Sequence, residues 1–321
     1  MSLEASGSKI CSIIIVNWNT CQILDDCLAS LRNSLREDAE QYEVIIIDNA
    51  SSDGSVDMIK AKYGEYALIE NQENRGFAAA NNQGLECARG EFYLLLNSDT
   101  IVLGEAIQNS IKYMMTQRKV GVMGCRVLNQ DRSLQETCFM YPSLLNLILK
   151  TTGLHKIRKH DFFCREYMSN WRRDDEREVE VVTGCFMLVR ARACQFVGFL
   201  DEDFFFFGEE TDWCYRFKQA GWLVKFAPVG EIVHLGGASS KNSLRRDLLL
   251  SQGLVRFHAK HGGFANTLSA YLILALFNSS RVFFWWFHYL LNRKEFNKNR
   301  ALHFTQVTLG FLKAWPKVAK T

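Results

Sequence analysis

The chain has 321 residues, 48% of them hydrophobic and 23% charged, with a formal net charge of +3. That composition excludes a disordered or collagen-like chain and leaves room for one large or two smaller folded domains. Its ten cysteines show no CxxC pair or Cys/His ligand spacing, which argues against a zinc site or disulfide framework, and free thiols fit a reducing cytoplasm. Residues 1–9 carry no signal-peptide pattern and are expected to be disordered or vector-derived. Residues 10–16 read as a strand, after which Leu24, Leu28, Leu31 and Leu35 recur at helical spacing over 21–36. Residues 44–47 are a second buried run. Asp48, Asn49, Ser51, Ser52 and Asp53 then form a polar loop leading into a helix through residue 62. A third strand at 67–69, a helix at 77–88 and a fourth strand at 92–96 follow. Strands alternating with helices predict right-handed βαβ units and a largely parallel sheet.

The fourth strand, Phe92-Tyr93-Leu94-Leu95-Leu96, runs into Asn97-Ser98-Asp99. Side chains at the carboxyl end of such a strand emerge where open α/β sheets bind ligands. Taken alone, Asp99 is as readily a turn cap as a ligand. Beyond it the spacing predicts a helix at 106–117, a strand at 120–125 and a turn at Asn129-Gln130-Asp131. Residues 141–177, rich in Arg, Lys and aromatics, read as a loop-and-helix insertion. A long β run at 179–189, interrupted by Thr183-Gly184, precedes a helix at 210–220 and a β segment ending at His234.

No glycine follows the first strand, so the G-x-G-x-x-G of a dinucleotide-binding dehydrogenase is absent, as is a P-loop. The βα loops are acidic instead. Asp48, Asp53 and Asp99 could accept hydrogen bonds from a nucleobase imide or ribose hydroxyls, or hold a cation against a diphosphate. Glu209 and Glu210 fall at a helix start, where the dipole favours carboxylates. Four phenylalanines, 204–207, precede them, and burial with mutual repulsion would raise one carboxyl toward the range of a useful base. His234 by itself is open between a structural role and ligation.

Residues 239–321 hold thirteen Lys and Arg against Asp247 and Glu295, a net of +11, so the rest of the chain carries −8. A basic tail on an acidic body implies an anionic partner for the tail, either a membrane surface or a nucleic acid, and the aromatic residues beside the basic ones favour the membrane surface. Two apolar stretches, 268–277 and 282–291, flank Asn278-Ser279-Ser280-Arg281, and neither reaches the ~20 residues that span a bilayer. They are expected as a helix pair, contacting a membrane surface through 264–300 or packed on the body. No nucleic-acid partner is expected.

In order, the chain presents Val16-Asn17-Trp18-Asn19, Asp48-Asn49-Ala50-Ser51-Ser52-Asp53-Gly54-Ser55, Asn74-Arg75-Gly76-Phe77 with Asn81-Asn82, and Asn97-Ser98-Asp99. Gly198-Phe199-Leu200-Asp201-Glu202, Glu209-Glu210-Thr211-Asp212 and His234 follow. This series resembles family 2 glycosyltransferases with the GT-A fold, nearest to bacterial rhamnosyltransferase-like members, over residues 10–240. The resemblance implies an α/β fold whose central, mostly parallel mixed sheet is flanked by helices, with a C-terminal helical extension. It implies a catalytic domain at 10–238, divided into a nucleotide-binding half (10–103) and an acceptor-binding half (104–238), and a helical region at 239–321.

It also implies roles. Val16, Asn17, Asp48, Asn49, Asp53, Arg75, Gly76, Asn81, Asn97 and Ser98 match nucleotide-contacting positions, with Asp48 on the base imide. Asp99 matches the metal-binding acid of D-x-D, and His234 the histidine that completes the metal site in some members. Glu210 aligns with the general base, flanked by Glu209 and Asp212, while Gly184 and Trp213 fall on the acceptor side. Asn97 replaces the first acid of D-x-D, and Glu210 stands where many relatives have Asp. The implied activity is inverting transfer from dTDP-rhamnose or a UDP-hexose to a glycan or lipid-diphosphate-linked glycan. Mn²⁺ or Mg²⁺ would assist, in the cytoplasm at the inner membrane face. A sugar-nucleotide pyrophosphorylase would need a G-x-G-T-R-type loop that is missing, and a non-catalytic nucleotide- or glycan-binding protein is the other alternative.

Overall fold

The computed structural model of the protein describes residues 9–157, 160–236, 243–313 and 315. The segment expected to be disordered lies, up to residue 8, outside them. The chain forms two compact units. One holds residues up to 140 with 171–205 and 209–239; the other holds 141–170, 206–208 and residues from 240 on.

In the first unit, strands β1 (Cys11–Asn17), β2 (Tyr42–Asp48), β3 (Ala67–Glu70) and β4 (Phe92–Leu96) alternate with helices α1 (Cys21–Ser34), α2 (Ser55–Lys62) and α3 (Phe77–Cys87). Then come β5 (Thr100–Leu103), α4 (Ala106–Thr116) and β6 (Val120–Leu128). After the second unit's α5 (Leu144–Thr151) and α6 (Leu154–Ile157), the first unit resumes with β7 (Arg177–Glu178), β8 (Phe186–Arg190), α7 (Ala191–Val197), α8 (Glu209–Gln219) and β9 (Leu223–His234). The sheet order is β3-β2-β1-β4-β8-β6-β9-β5, with β7 beside β9. Strands β3, β2, β1 and β4 are mutually parallel, β8 runs against β4 and β6, and β9 returns parallel to β6.

The apolar pattern explains the layers. Ile13 and Ile15 of β1 join Leu24, Leu28 and Leu31 of α1 in one core cluster, all fully buried. On the opposite face α3 lies close to the sheet because Gly84 has no side chain. A Cβ there would come within 2.5 Å of Ile14 Cγ2.

Three sequence expectations change. Thr100–Leu103, unassigned in the sequence, is strand β5, held antiparallel to β9 with Thr100 opposite His234. The long β run at 179–189 is shorter: Phe186–Arg190 is the strand, and Val181 makes only an isolated bridge to Phe139. The expected helix pair is one 30-residue helix.

That helix, α10 (Gly263–Asn292), joins α5, α6, α9 (Ser243–His261) and α11 (Glu295–Leu312) in the second unit. Its core is Leu147, Val255, Ala270, Leu274 and Phe311. The stretch read as a break continues helically because Asn278 is buried and Ser280 Oγ donates to the Phe277 carbonyl. The guanidinium of Arg281 lies 3.6 Å from the ring centre of Phe304, with Arg300 at 4.9 Å from the same ring. Among the described residues α10 is the one helix long and apolar enough to cross a membrane.

All ten cysteines are free. Burial pushes the Cys27 thiol up to about 11 and Cys138, Cys185 and Cys214 up to about 12, so they are packed thiols rather than nucleophiles.

Candidate active site

The parallel strands deliver their carboxyl ends to one edge, and register places side chains there in pairs. Asn17 closes β1 opposite Asp48, the last residue of β2. Asn17 Nδ2 donates to Asp48 Oδ1 at 2.9 Å and to Ser51 Oγ at 3.1 Å, while Ser51 N donates to Asp48 Oδ2 at 2.8 Å. Asp48 is 2% exposed, so this carboxylate is held in one orientation by its own loop and by β1. Val16, beside Asn17, is half-buried. Thr20, which no sequence signal singled out, links the two loops: its hydroxyl donates to Asn17 Oδ1 at 2.6 Å and lies 3.2 Å from Ser98 Oγ.

Asp53 carries two helix starts. Oδ2 accepts from Cys21 N at 2.8 Å, and Oδ1 accepts from Ser55 N and Oγ at 3.2 and 2.5 Å. Partial burial pushes its carboxyl up, but these donors outweigh it and hold the group below the ordinary value. Asp53 therefore acts on helices α1 and α2, as an N-cap does. Asn49, 2% exposed, ties the next loop: Nδ2 donates to Asn74 Oδ1 and the Gly76 carbonyl, and Oδ1 accepts from Asn71 Nδ2 and Arg75 N. Arg75 is exposed, whereas Asn81 is buried and donates to the Phe77 carbonyl of its own helix.

Gly76 sits at φ +85, and a Cβ there would meet the Phe205 carbonyl oxygen at 2.5 Å, the same oxygen that accepts from Phe77 N. Gly76→Ala is expected to lower stability by about 2–4 kcal/mol, from left-handed strain and a backbone clash that cannot relax. Urea unfolding checks this; a loss below ~0.5 kcal/mol would show that the loop yields instead.

Past β4, Asn97, Ser98 and Asp99 turn into β5, whose pairing with β9 brings His234 back to them. His234 Nε2 lies 3.2 Å from Asp99 Oδ1 and 3.2 Å from Asn97 Nδ2. Its Nδ1 lies 2.7 Å from Gln135 Oε1. Asn97 N donates to the Cys185 carbonyl at 3.3 Å. A Cβ on neighbouring Gly184 would stand 3.7 Å from Glu210 Cγ. Asp99 and Glu210 both act electrostatically on the Cys185 thiol. The expected acid, histidine and base thus share one neighbourhood.

A family model described as "Glycosyl transferase family 2" matches residues 12–198, a stretch that contains every one of these loops except the Glu210 helix and His234. The chain belongs to glycosyl transferase family 2. Over 100 residues it is 35% identical to the poly(ribitol-phosphate) beta-glucosyltransferase of Bacillus spizizenii, covering 30% of this chain and 16% of that one. Over 223 residues it is 26% identical to the poly-beta-1,6-N-acetyl-D-glucosamine synthase of Staphylococcus aureus, covering 68% of this chain and 48% of that one. The chain thus matches half or less of the length of these curated relatives. Among solved structures, the mannosyltransferase PcManGT of Pyrobaculum calidifontis, in complex with GDP-Man and Mn²⁺, superposes with a TM-score of 0.55 at 14% identity. That likeness covers 96% of this chain and 88% of the other. The fold is that of GT-A glycosyltransferases.

The family 2 acids divide by environment. Glu209, first residue of α8, is 2% exposed and its Oε2 has no hydrogen-bond partner. Burial, with the Glu210 charge second, pushes its carboxyl well above the ordinary 4.5. Glu210 is half-buried. Asp212 is fully buried in an ion pair with Arg216 Nε at 2.8 Å, and Arg216 also donates to the Val197 and Phe199 carbonyls. Trp213 is fully buried with its indole N–H on the Gly198 carbonyl. Neither Asp212 nor Trp213 presents a surface to an acceptor; both fasten α8 to the segment before it. Gly184, by contrast, lies beside Glu210.

One carboxylate and one imidazole within 3.2 Å suit a divalent cation such as Mn²⁺ or Mg²⁺. Among the described residues no group of three His, Cys, Asp or Glu forms a complete metal site.

Proposed function

We propose that the protein transfers a sugar from a nucleoside diphosphate sugar to a hydroxyl of a cell-surface glycan precursor, by single displacement with inversion. The observation that carries this reading is the convergence of Asp99, His234 and the Glu210 region at the carboxyl edge of a GT-A sheet.

The acceptor O–H gives its proton to the Glu210 carboxylate as its oxygen attacks the anomeric carbon. The bond from that carbon to the diphosphate breaks on the opposite side, and the nucleoside diphosphate leaves. Asp99 and His234 would hold the divalent ion, which when bound neutralises charge on the leaving phosphate. With Asn97 in place of a second acid, the protein would offer the ion one carboxylate and one imidazole and leave further ligands to the donor, so metal and donor are expected to bind cooperatively. Asp48 would accept a base imide N–H; because thymine and uracil share that donor, dTDP-rhamnose and UDP-hexoses are the donors to try first.

Purified protein incubated with Mn²⁺ and a panel of nucleotide sugars tests the reading. Release of nucleoside diphosphate, increased by an acceptor glycan, is expected. No turnover across the panel, with donor still bound, would favour a non-catalytic binding protein.

The second unit supports contact with an anionic membrane surface at the inner face. Phe264, Leu268, Leu272, Leu276, Phe283 and Phe287 are exposed along one face of α10, and Arg293 and Lys294 are exposed at its end. The opposite face is committed to the unit's core through Thr267, Ala270, Leu274 and Asn278. A spanning α10 would drag the partners of that core into hydrocarbon, including the Asp247–His303 pair at 3.0 Å, which favours a helix lying in the headgroup region. Co-sedimentation with vesicles containing phosphatidylglycerol is expected, reduced at least about tenfold by Leu272→Glu with Leu276→Glu. Absence of vesicle binding would sink the idea, and resistance to alkaline carbonate extraction from cell membranes would replace it with a spanning helix.

A further inference from the structure

The turn after β6 was legible in the sequence but had no evident task. Asn129 Nδ2 donates to the Leu134 carbonyl at 3.3 Å and to Ser133 Oγ at 2.9 Å, which turns Asn129 Oδ1 toward Gln135. Gln135 Nε2 donates to that oxygen at 2.9 Å and to the His234 carbonyl at 3.2 Å. Carbonyl oxygens only accept, so these contacts settle which end of each amide is which. Gln135 Oε1 is then the atom 2.7 Å from His234 Nδ1, and that nitrogen must carry the proton. In the neutral imidazole the lone pair is then on His234 Nε2, which faces Asp99 Oδ1 and the Asn97 amide at 3.2 Å each. The nitrogen that faces Asp99 is the one left able to ligate.

We propose that Gln135, oriented by Asn129, is a positioning residue that fixes His234 in its Nδ1–H form and so aims the Nε2 lone pair at a divalent cation beside Asp99. The inference rests on the metal reading of Asp99 and His234 given above. Its physical basis is general: a metal-binding imidazole is oriented by the acceptor on its other nitrogen, and loss of that acceptor weakens metal binding. Here the acceptor is a neutral amide, which fixes the ring without adding a charge. Both ends of the relay are anchored in strands, Asn129 directly after β6 and His234 at the end of β9, which pair in parallel through Leu128 and Val233.

The test uses the full chain labelled with ¹⁵N-histidine, without metal. Long-range proton–nitrogen spectra, with His234 assigned by its loss in His234→Gln, are expected to show the Nδ1–H form. Gln135→Leu should shift His234 toward the Nε2–H form, whereas Gln135→Glu, which keeps an acceptor, should preserve it. In parallel, Mn²⁺ affinity in the presence of UDP or dTDP is read from the paramagnetic resonance of free Mn²⁺. Gln135→Leu should weaken it about 10- to 100-fold, and Gln135→Glu should restore it to within a few-fold. An Nε2–H form in the wild type, or unchanged Mn²⁺ affinity in Gln135→Leu, overturns the inference. A wild type that binds no Mn²⁺ overturns the metal reading itself, and the metal-free imidazole spectrum tells that failure apart from a failure of Gln135 to set the tautomer.

Discussion

Replacing Glu210 with glutamine is expected to lower kcat for sugar transfer by about 100- to 10,000-fold while leaving donor affinity within about threefold. The amide fills the same volume but cannot take the acceptor proton, so the loss falls on the chemical step. Unchanged transfer would remove Glu210 as base. Glu209→Gln is the informative neighbour. Burial, with the Glu210 charge second, pushes its carboxyl well above the ordinary value and favours the neutral form, so an amide is expected to replace it with little loss of activity. Stability gives the matching signature. A carboxyl raised above its unfolded 4.5 binds a proton on folding, so the native state is favoured below that pH and progressively penalised above it, until the folded value is passed. Glu209→Gln removes that penalty and should raise the urea midpoint at pH 8 more than at pH 5. A large activity loss with no stability gain would mean that Glu209, not Glu210, moves the proton.

Removing the divalent cation is the second large effect. Treatment with a chelator should abolish transfer, and Mn²⁺ should restore it at lower concentration than Mg²⁺, because one of the two ligands is an imidazole. Asp99→Asn should lower kcat/KM by about 100- to 1,000-fold and raise the Mn²⁺ concentration needed for half activity. The asparagine keeps the shape of the turn but withdraws the only charge the 97–99 loop offers the metal. Full activity in a chelator-treated preparation, or in Asp99→Asn, would refute metal assistance at this position.

The parallel half of the fold was readable because each of β1, β2 and β4 is a continuous apolar run, and α1 repeats leucine at helical spacing. Strand β5 was not, since four residues carry no pattern of their own and form a strand only by pairing with β9, more than 120 residues on. Val179, Val181 and Val182 misled in the opposite direction: they are buried, but by packing and an isolated bridge rather than a ladder. In α10 the polar Asn278-Ser279-Ser280-Arg281 looked like a break, whereas Phe304, distant in sequence, covers the arginine and lets the helix continue. At the site, strand-end position singled out Asp48, Asp99 and His234 as candidates, and the family resemblance supplied the roles expected of them. What sequence could not separate was a carboxylate that meets a ligand from one that holds helices, as Asp53 does, or an indole that lines a pocket from one sealed in the core, as Trp213 is. Gln135 was out of reach because its partner lies 99 residues away.

The stacking of Arg281 and Arg300 on Phe304 bears on how this chain can be shortened. A stop placed between α10 and α11 would remove the Phe304 ring and leave the Arg281 guanidinium with only Phe277 of its own helix, midway along an apolar helix that has also lost its packing partner. Trimming from the carboxyl end is therefore expected to be stepwise rather than graded, with an abrupt fall in recoverable protein for any cut inside α11. Anyone preparing shorter versions should choose endpoints by that pair of helices and not by hydropathy.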